Sequence, residues 1–99
     1  MAEALVRGGG MNQIILTAVR DRRRIRFWYD NEFRTVEPHC YGRDAHGSGS
    51  LIGFQLGSNR WRWFHVPWMT RLSPMSETFE PRPDYDPEVL GMAEVLAQV

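Results

Sequence analysis

Ninety-nine residues, 42% hydrophobic and 24% charged with no net charge, are enough for one small domain with one core. The lone cysteine, Cys40, excludes an intrachain disulfide framework, and the mostly apolar run Ala2 to Val6 is too short for a signal peptide or a membrane span, which points to the cytoplasm. The neutral total conceals two halves: residues 1–75 hold eleven Arg against six acids (+5), and residues 76–99 hold one Arg against six acids (−5).

Residues 1–10 contain Gly8-Gly9-Gly10 and read as a flexible leader. From Met11, the apolar residues Met11, Ile14, Ile15 and Ala18 recur at helical spacing, with Asn12 as a cap, so a helix is predicted to run to about Arg22. At Arg24 the period changes to two: Ile25, Phe27 and Tyr29 share one face, Arg24, Arg26 and Trp28 the other. Asp30-Asn31-Glu32 signals a turn. A four-residue loop would set Tyr29 opposite Arg34, Phe27 opposite Val36 and Arg26 opposite Glu37, matching apolar to apolar and charge to countercharge.

The Gly- and Ser-rich stretch Gly42 to Ser50 is a loop by composition and lacks the Gly-Lys-Ser/Thr ending of a phosphate-binding P-loop. Leu51 to Leu56 reads as a strand with Ile52, Phe54 and Leu56 inward, and Arg60 to Val66 as the next strand, stopped by Pro67. Trp68 to Ser73 is expected to form a short fifth strand. Five short strands so close together predict a mainly β domain, a small closed barrel in which closure removes the edges. After the Pro-rich segment Glu80 to Pro87, Asp86-Pro87-Glu88 supplies a cap, an N1 proline and a first-turn carboxylate, predicting a C-terminal helix over 87–99. The expected organisation is thus a leader (1–10), a barrel domain with its N-terminal helix (11–86) and a terminal helix.

The order of these pieces carries a resemblance. A helix, the Arg22-Arg23-Arg24 link, a strand, Arg34-x-Val36-x-Pro38, a Gly-rich loop, Leu51-Ile52-Gly53-Phe54, Arg62-x-Phe64-x-Val66 and Phe79-x-Pro81 fall where a WYL domain places such residues, across most of residues 14–86. Glu37-Pro38-His39-Cys40-Tyr41-Gly42 resembles in particular the small stand-alone WYL-like proteins of bacteria without a helix-turn-helix domain. The triad that names the family aligns with Gly49-Ser50-Leu51, and its Arg-Leu-Asp-Arg run with His65-Val66-Pro67-Trp68, whereas Arg34 and Arg62 fit the pattern. The resemblance implies an SH3-like or Sm-like barrel and a ligand-binding or nucleic-acid-binding regulatory role.

Catalysis finds little in the residues. His39 and Cys40 are neighbours on a strand, where alternation points them to opposite faces, and the histidines 39, 46 and 65 with Cys40 lack any zinc-ligand spacing. No catalytic residue, metal or cofactor is assigned. Arg60-Trp61-Arg62-Trp63-Phe64-His65 instead interleaves cations with aromatic faces, the combination that holds phosphates and stacks bases. All twelve basic residues are Arg, which suits bidentate phosphate capture, although GC-rich coding produces the same bias. The expected function is a non-enzymatic regulatory module that binds a nucleotide or single-stranded nucleic acid through Arg24, Arg34, Arg60, Trp61, Arg62 and His65. The alternative is a protein-interaction or homodimerising scaffold. In a transcriptional role a partner protein would supply the DNA contact, because no helix-turn-helix fits beside the barrel.

Overall fold

The computed structural model describes residues 11–87 and 91–99. The proposed leader, residues 1–10, and positions 88–90 of the proposed terminal helix lie outside the described residues. The chain runs α1 (Gln13–Asp21), β1 (Arg23–Tyr29), β2 (Glu32–Arg43), β3 (Gly49–Gln55), β4 (Arg60–His65), a 3₁₀ turn (Val66–Trp68), β5 (Thr70–Thr78) and β6 (Glu94–Gln98).

Helix α1 starts where the sequence indicates. Asn12 caps it, its side-chain oxygen accepting the Ile15 N–H at 3.0 Å, and the chain leaves through Arg22 in the left-handed region. The buried stripe is Ile15, Leu16, Ala18 and Val19, so the apolar face is turned relative to the expected one, and Met11 and Ile14 face solvent.

The β1–β2 hairpin is tighter than predicted. Asp30 and Asn31 both have positive φ, 53° and 68°, and form a two-residue turn; Tyr29 therefore pairs with Glu32, Phe27 with Arg34, Arg26 with Thr35 and Ile25 with Val36. The correction is two residues, because Asp-Asn tolerates the left-handed backbone that twisted two-residue hairpins require. A two-residue slip preserves the faces, so Ile25, Phe27 and Val36 still enter the core.

All six strands join one antiparallel sheet of order β4-β3-β2-β1-β5, with β6 added on β2. Among the described residues these pairings do not close the sheet, so it is mainly β as expected but not a demonstrated barrel. The fifth strand is longer than predicted and runs through Pro74; a terminal strand, with register shifts beside it, tolerates the missing N–H.

The largest correction concerns the end of the chain. Residues 94–98, expected to be helical, form a strand in register with Cys40 to Arg43. Strand β1 uses β2 only over Glu32–Val36, which leaves the later half of that edge open, and β6 satisfies its backbone groups. Gly42 permits the approach, since a Cβ there would collide with the Glu94 carbonyl oxygen.

The core lies between α1 and one face of the sheet, where Ile15, Leu16, Ala18 and Val19 meet Ile25, Phe27, Val36, Tyr41, Leu51, Phe64 and Ala97. The Phe27 and Phe64 rings meet edge to face at 5.0 Å. Tyr41, buried beneath the helix, accepts the Asn12 N–H on its hydroxyl at 2.8 Å. Strand β3 presents Leu51, Gly53 and Gln55 to this face rather than the predicted Ile52, Phe54 and Leu56, because Leu51 pairs with Phe64 and Gln55 with Val36.

Candidate functional site

The two faces of the sheet divide the six sequence-predicted residues. On the helix side, beyond the end that α1 covers, Arg34 pairs with Phe27 in the hairpin, while Arg60 and Arg62 pair with Gln55 and Gly53 across β3–β4. Arg34 is only 5% exposed. It donates from Nη1 to Gln55 Oε1 at 3.1 Å and from Nε to the Tyr29 carbonyl at 3.3 Å, and Nη2 lies 3.1 Å from Glu32. A buried guanidinium so occupied is a strut that orders its surroundings.

The surroundings it orders are aromatic. The Tyr29 ring lies 5.8 Å from the Arg34 guanidinium carbon and meets Phe64 edge to face at 5.1 Å, and Arg62 sits 5.7 Å from the centre of Phe64. The Tyr29 hydroxyl accepts the His65 N–H at 3.0 Å, and the His65 ring packs against Trp68 at 4.6 Å. Trp68 is 70% exposed, and it borders a cavity of about 410 Å³ with Tyr29 and Asp30. Arg34 and Arg62 are thus linked through Tyr29 and Phe64, whereas His65 meets Tyr29 only through its backbone N–H and Arg60 is placed on this side by its strand pairing with Gln55.

Arg24 and Trp61 belong to the opposite face. The Glu37 side chain, 4% exposed, sits between two guanidiniums: Arg24 Nη2 at 3.2 Å from Oε2 and Arg82 Nε at 2.9 Å from Oε1. Arg82 also lies over Phe54, 3.6 Å from its centre, and covers the ring that the register of β3 turns away from the main core. Trp61 donates from Nε1 to Asp84 Oδ2 at 2.9 Å, and packs against His39, Phe54 and Tyr85.

His39 is the buried centre of this second cluster, with Trp61, Phe79 and Tyr85 around it. Its Nδ1–H donates to the Glu37 carbonyl at 2.9 Å, and its Nε2 accepts the backbone N–H of Arg82 at 3.1 Å. Both nitrogens are satisfied in the neutral ring, and burial holds its pKa below the ordinary histidine value against the raising effect of the Glu37 contacts. The register shift between Pro38 and Cys40 upsets simple alternation, and Cys40 also reaches Tyr85. Burial pushes the Cys40 thiol up, so it stays protonated. Tyr85 is raised as well, first by burial and then by Cys40, and its hydroxyl donates to Gln98 Oε1 at 2.7 Å.

Sequence periodicity does not assemble this cluster, although Phe79 and Tyr85 are residues able to pin the tail to the sheet. Glu37 was expected to pair with an arginine across the hairpin, and it does, with Arg24 instead of Arg26. Asp84, Arg82 and Tyr85 come from a Pro-rich segment whose path over the sheet no periodicity encodes. Beside the cluster is a cavity of about 350 Å³, lined by Ile52, Trp61, Arg62, Trp63, Asp84, Tyr85 and Asp86. Among the described residues no three His, Cys, Asp or Glu side chains converge as a metal site, and no helix is long and apolar enough to cross a membrane.

The chain is similar in structure to Proteasome accessory factor B/C (PafBC) of Arthrobacter aurescens, which contains a WYL domain. The likeness has a TM-score of 0.68 at 27% sequence identity and covers 77% of this chain but 13% of that one. This chain therefore matches a small part of a much longer protein, and the match agrees with a WYL-like fold. No family model matches the chain, and no curated protein matches it in sequence.

Proposed function

We propose that this chain is a non-enzymatic regulatory binding module of the WYL type, and that it takes a nucleotide or short single-stranded nucleic acid on the helix-side edge. The observation that carries the reading is the linked set Arg34–Tyr29–Phe64–Arg62, with His65 and the exposed Trp68 at its rim. In it, Arg34 is the internal strut, Arg60 and Arg62 supply charge to phosphate, and Trp68 offers a face to a base. The likeness to PafBC supports the regulatory part of the reading. Arg24 and Trp61, both engaged on the opposite face, are not part of this site.

Fluorescence titration with a short oligonucleotide and with mononucleotides, at low and moderate salt, tests the proposal. Affinity falls as salt rises, because phosphate capture releases counterions. Arg62→Ala costs about 1–3 kcal/mol as a charge-assisted contact, and Trp68→Ala about 1–3 kcal/mol as a lost stacking platform. Binding that ignores salt, or no binding to any of these probes, removes the reading.

One observation favours a protein-interaction or homodimer module instead. Trp28 and Phe33 pack edge to face at 4.9 Å on the β1–β2 hairpin, and Phe33 is exposed beneath Arg26, whose guanidinium carbon is 3.7 Å from the ring centre. Aromatic residues crossed by arginine are frequent interface anchors. Sedimentation of the wild type and Phe33→Ser separates the readings: a dimer dissolved by the substitution supports the scaffold.

A further inference from the structure

The face of the sheet opposite α1 carries a cavity whose chemistry differs from that of the arginine edge. We propose that the cavity between Trp61, Trp63 and Tyr85 is a binding site for a small organic cation, a compound bearing an alkylated ammonium group. The inference does not depend on the nucleotide reading, since the residues that carry it lie on the other side of the sheet.

Strand alternation builds the site. Trp61 and Trp63 are two apart on β4 and share a face, so both indoles border the same space, with Ile52 of β3 paired to Trp63 beneath them. Tyr85 closes a further side, its ring 5.9 Å from that of Trp61 and tilted by 33°. Trp63 remains 44% exposed, so the face of its indole is open to an occupant of the cavity. The cavity, about 350 Å³, falls within the range of small-molecule sites.

Charge selects the occupant. Asp84 and Asp86 both line the cavity. The Trp61 N–H fixes Asp84 at 2.9 Å, which holds a carboxylate at the aromatic wall. Arg62 contributes to the lining between the two tryptophans, but alternation carries its guanidinium toward Phe64 on the other face. Aromatic faces present negative potential, and two carboxylates repel phosphate while attracting a cation. An alkylated ammonium matches this lining because its methyl groups fill apolar space and its diffuse charge is satisfied by rings without a shell of hydrogen-bond acceptors. A metal ion does not fit, for indoles are not ligands and no three-ligand group exists among the described residues.

Calorimetric titration of the whole chain tests the assignment with four probes: tetramethylammonium, choline, the neutral isostere 3,3-dimethylbutan-1-ol, and a peptide carrying trimethyl-lysine. Tetramethylammonium and choline are expected to bind, with the neutral alcohol about tenfold weaker or worse because it lacks the charge. Trp63→Ala, at an exposed position, is expected to keep the fold, checked by its amide NMR spectrum, and to weaken choline by about 3- to 30-fold. Asp86→Asn is expected to weaken both cations while leaving the alcohol unchanged. Equal binding of choline and the alcohol, an unchanged affinity in folded Trp63→Ala, or no binding of either small cation up to about 10 mM overturns the proposal. Binding of the peptide alone overturns the small-molecule assignment.

Discussion

His39 and Arg82, forty-three positions apart, are joined by a hydrogen bond from the Arg82 backbone N–H to His39 Nε2 at 3.1 Å. Because the opposite ring nitrogen donates to the Glu37 carbonyl, protonating His39 removes the acceptor that holds the Pro-rich segment on the sheet.

This bond makes stability depend on pH. The folded-state pKa of His39 lies below its ordinary value of 6.5, so at mildly acid pH the unfolded chain binds more protons than the folded one. The contribution is fully present above about pH 6.5 and is lost as pH falls through the folded pKa. Urea melts at several pH values between about 7.5 and 5 are expected to show falling stability. His39→Gln, whose amide carries both a donor group and an acceptor but does not titrate, should flatten the slope. Equal slopes in the two proteins would show that His39 is not the group responsible.

Glu37 anchors the same segment through charge. Replacing it with Gln leaves Arg24 and Arg82 facing a neutral amide, and the expected loss is about 1–3 kcal/mol, below the usual figure for a fully buried pair because each arginine is about one-third exposed. Arg24→Ala should cost less, since Arg82 still neutralises the carboxylate. Chemical denaturation of both variants provides the comparison.

The two faces of the sheet make unequal demands on their aromatic residues. Phe27 is fully buried against Phe64 and Tyr29, and Phe27→Ala is expected to cost about 3–5 kcal/mol. Phe54 is half-buried between Trp61 and Arg82, so Phe54→Ala should cost about 1–2 kcal/mol. Thermal melts that rank them in the other order would contradict the orientation of β3.

Gly42→Val tests the last strand. The added side chain strikes the Glu94 carbonyl and displaces β6 from β2, while the β1–β2 pairing at Glu32–Val36 lies too far along the strand to be touched. Hydrogen exchange should show lost protection at 94–98 with β1 still protected. Loss of protection throughout would mean that β6 is integral to the cooperative fold.

The sequence by itself determined the local structure. Asn12 and the apolar spacing placed the helix, period-two alternation placed β1 and the inward set Ile25, Phe27 and Tyr29, and Pro67 ended β4. These features act through neighbours a few residues away, which is why a linear reading finds them. The hairpin register required the particular backbone of Asp30 and Asn31, and was missed by two residues. What only the tertiary structure decided was every outcome that depends on a distant partner. The open second half of the β2 edge made residues 94–98 a strand, although Asp86 and Pro87 upstream signal a helix start, because buried backbone groups must be paired. Pairing across β2–β3–β4 set which side of β3 faces the helix, and so sent Trp61 to one surface and Arg34 and Arg62 to the other. The path of Arg82, Asp84 and Tyr85 over the sheet was fixed by side chains they meet only after folding: Glu37, His39 and Trp61.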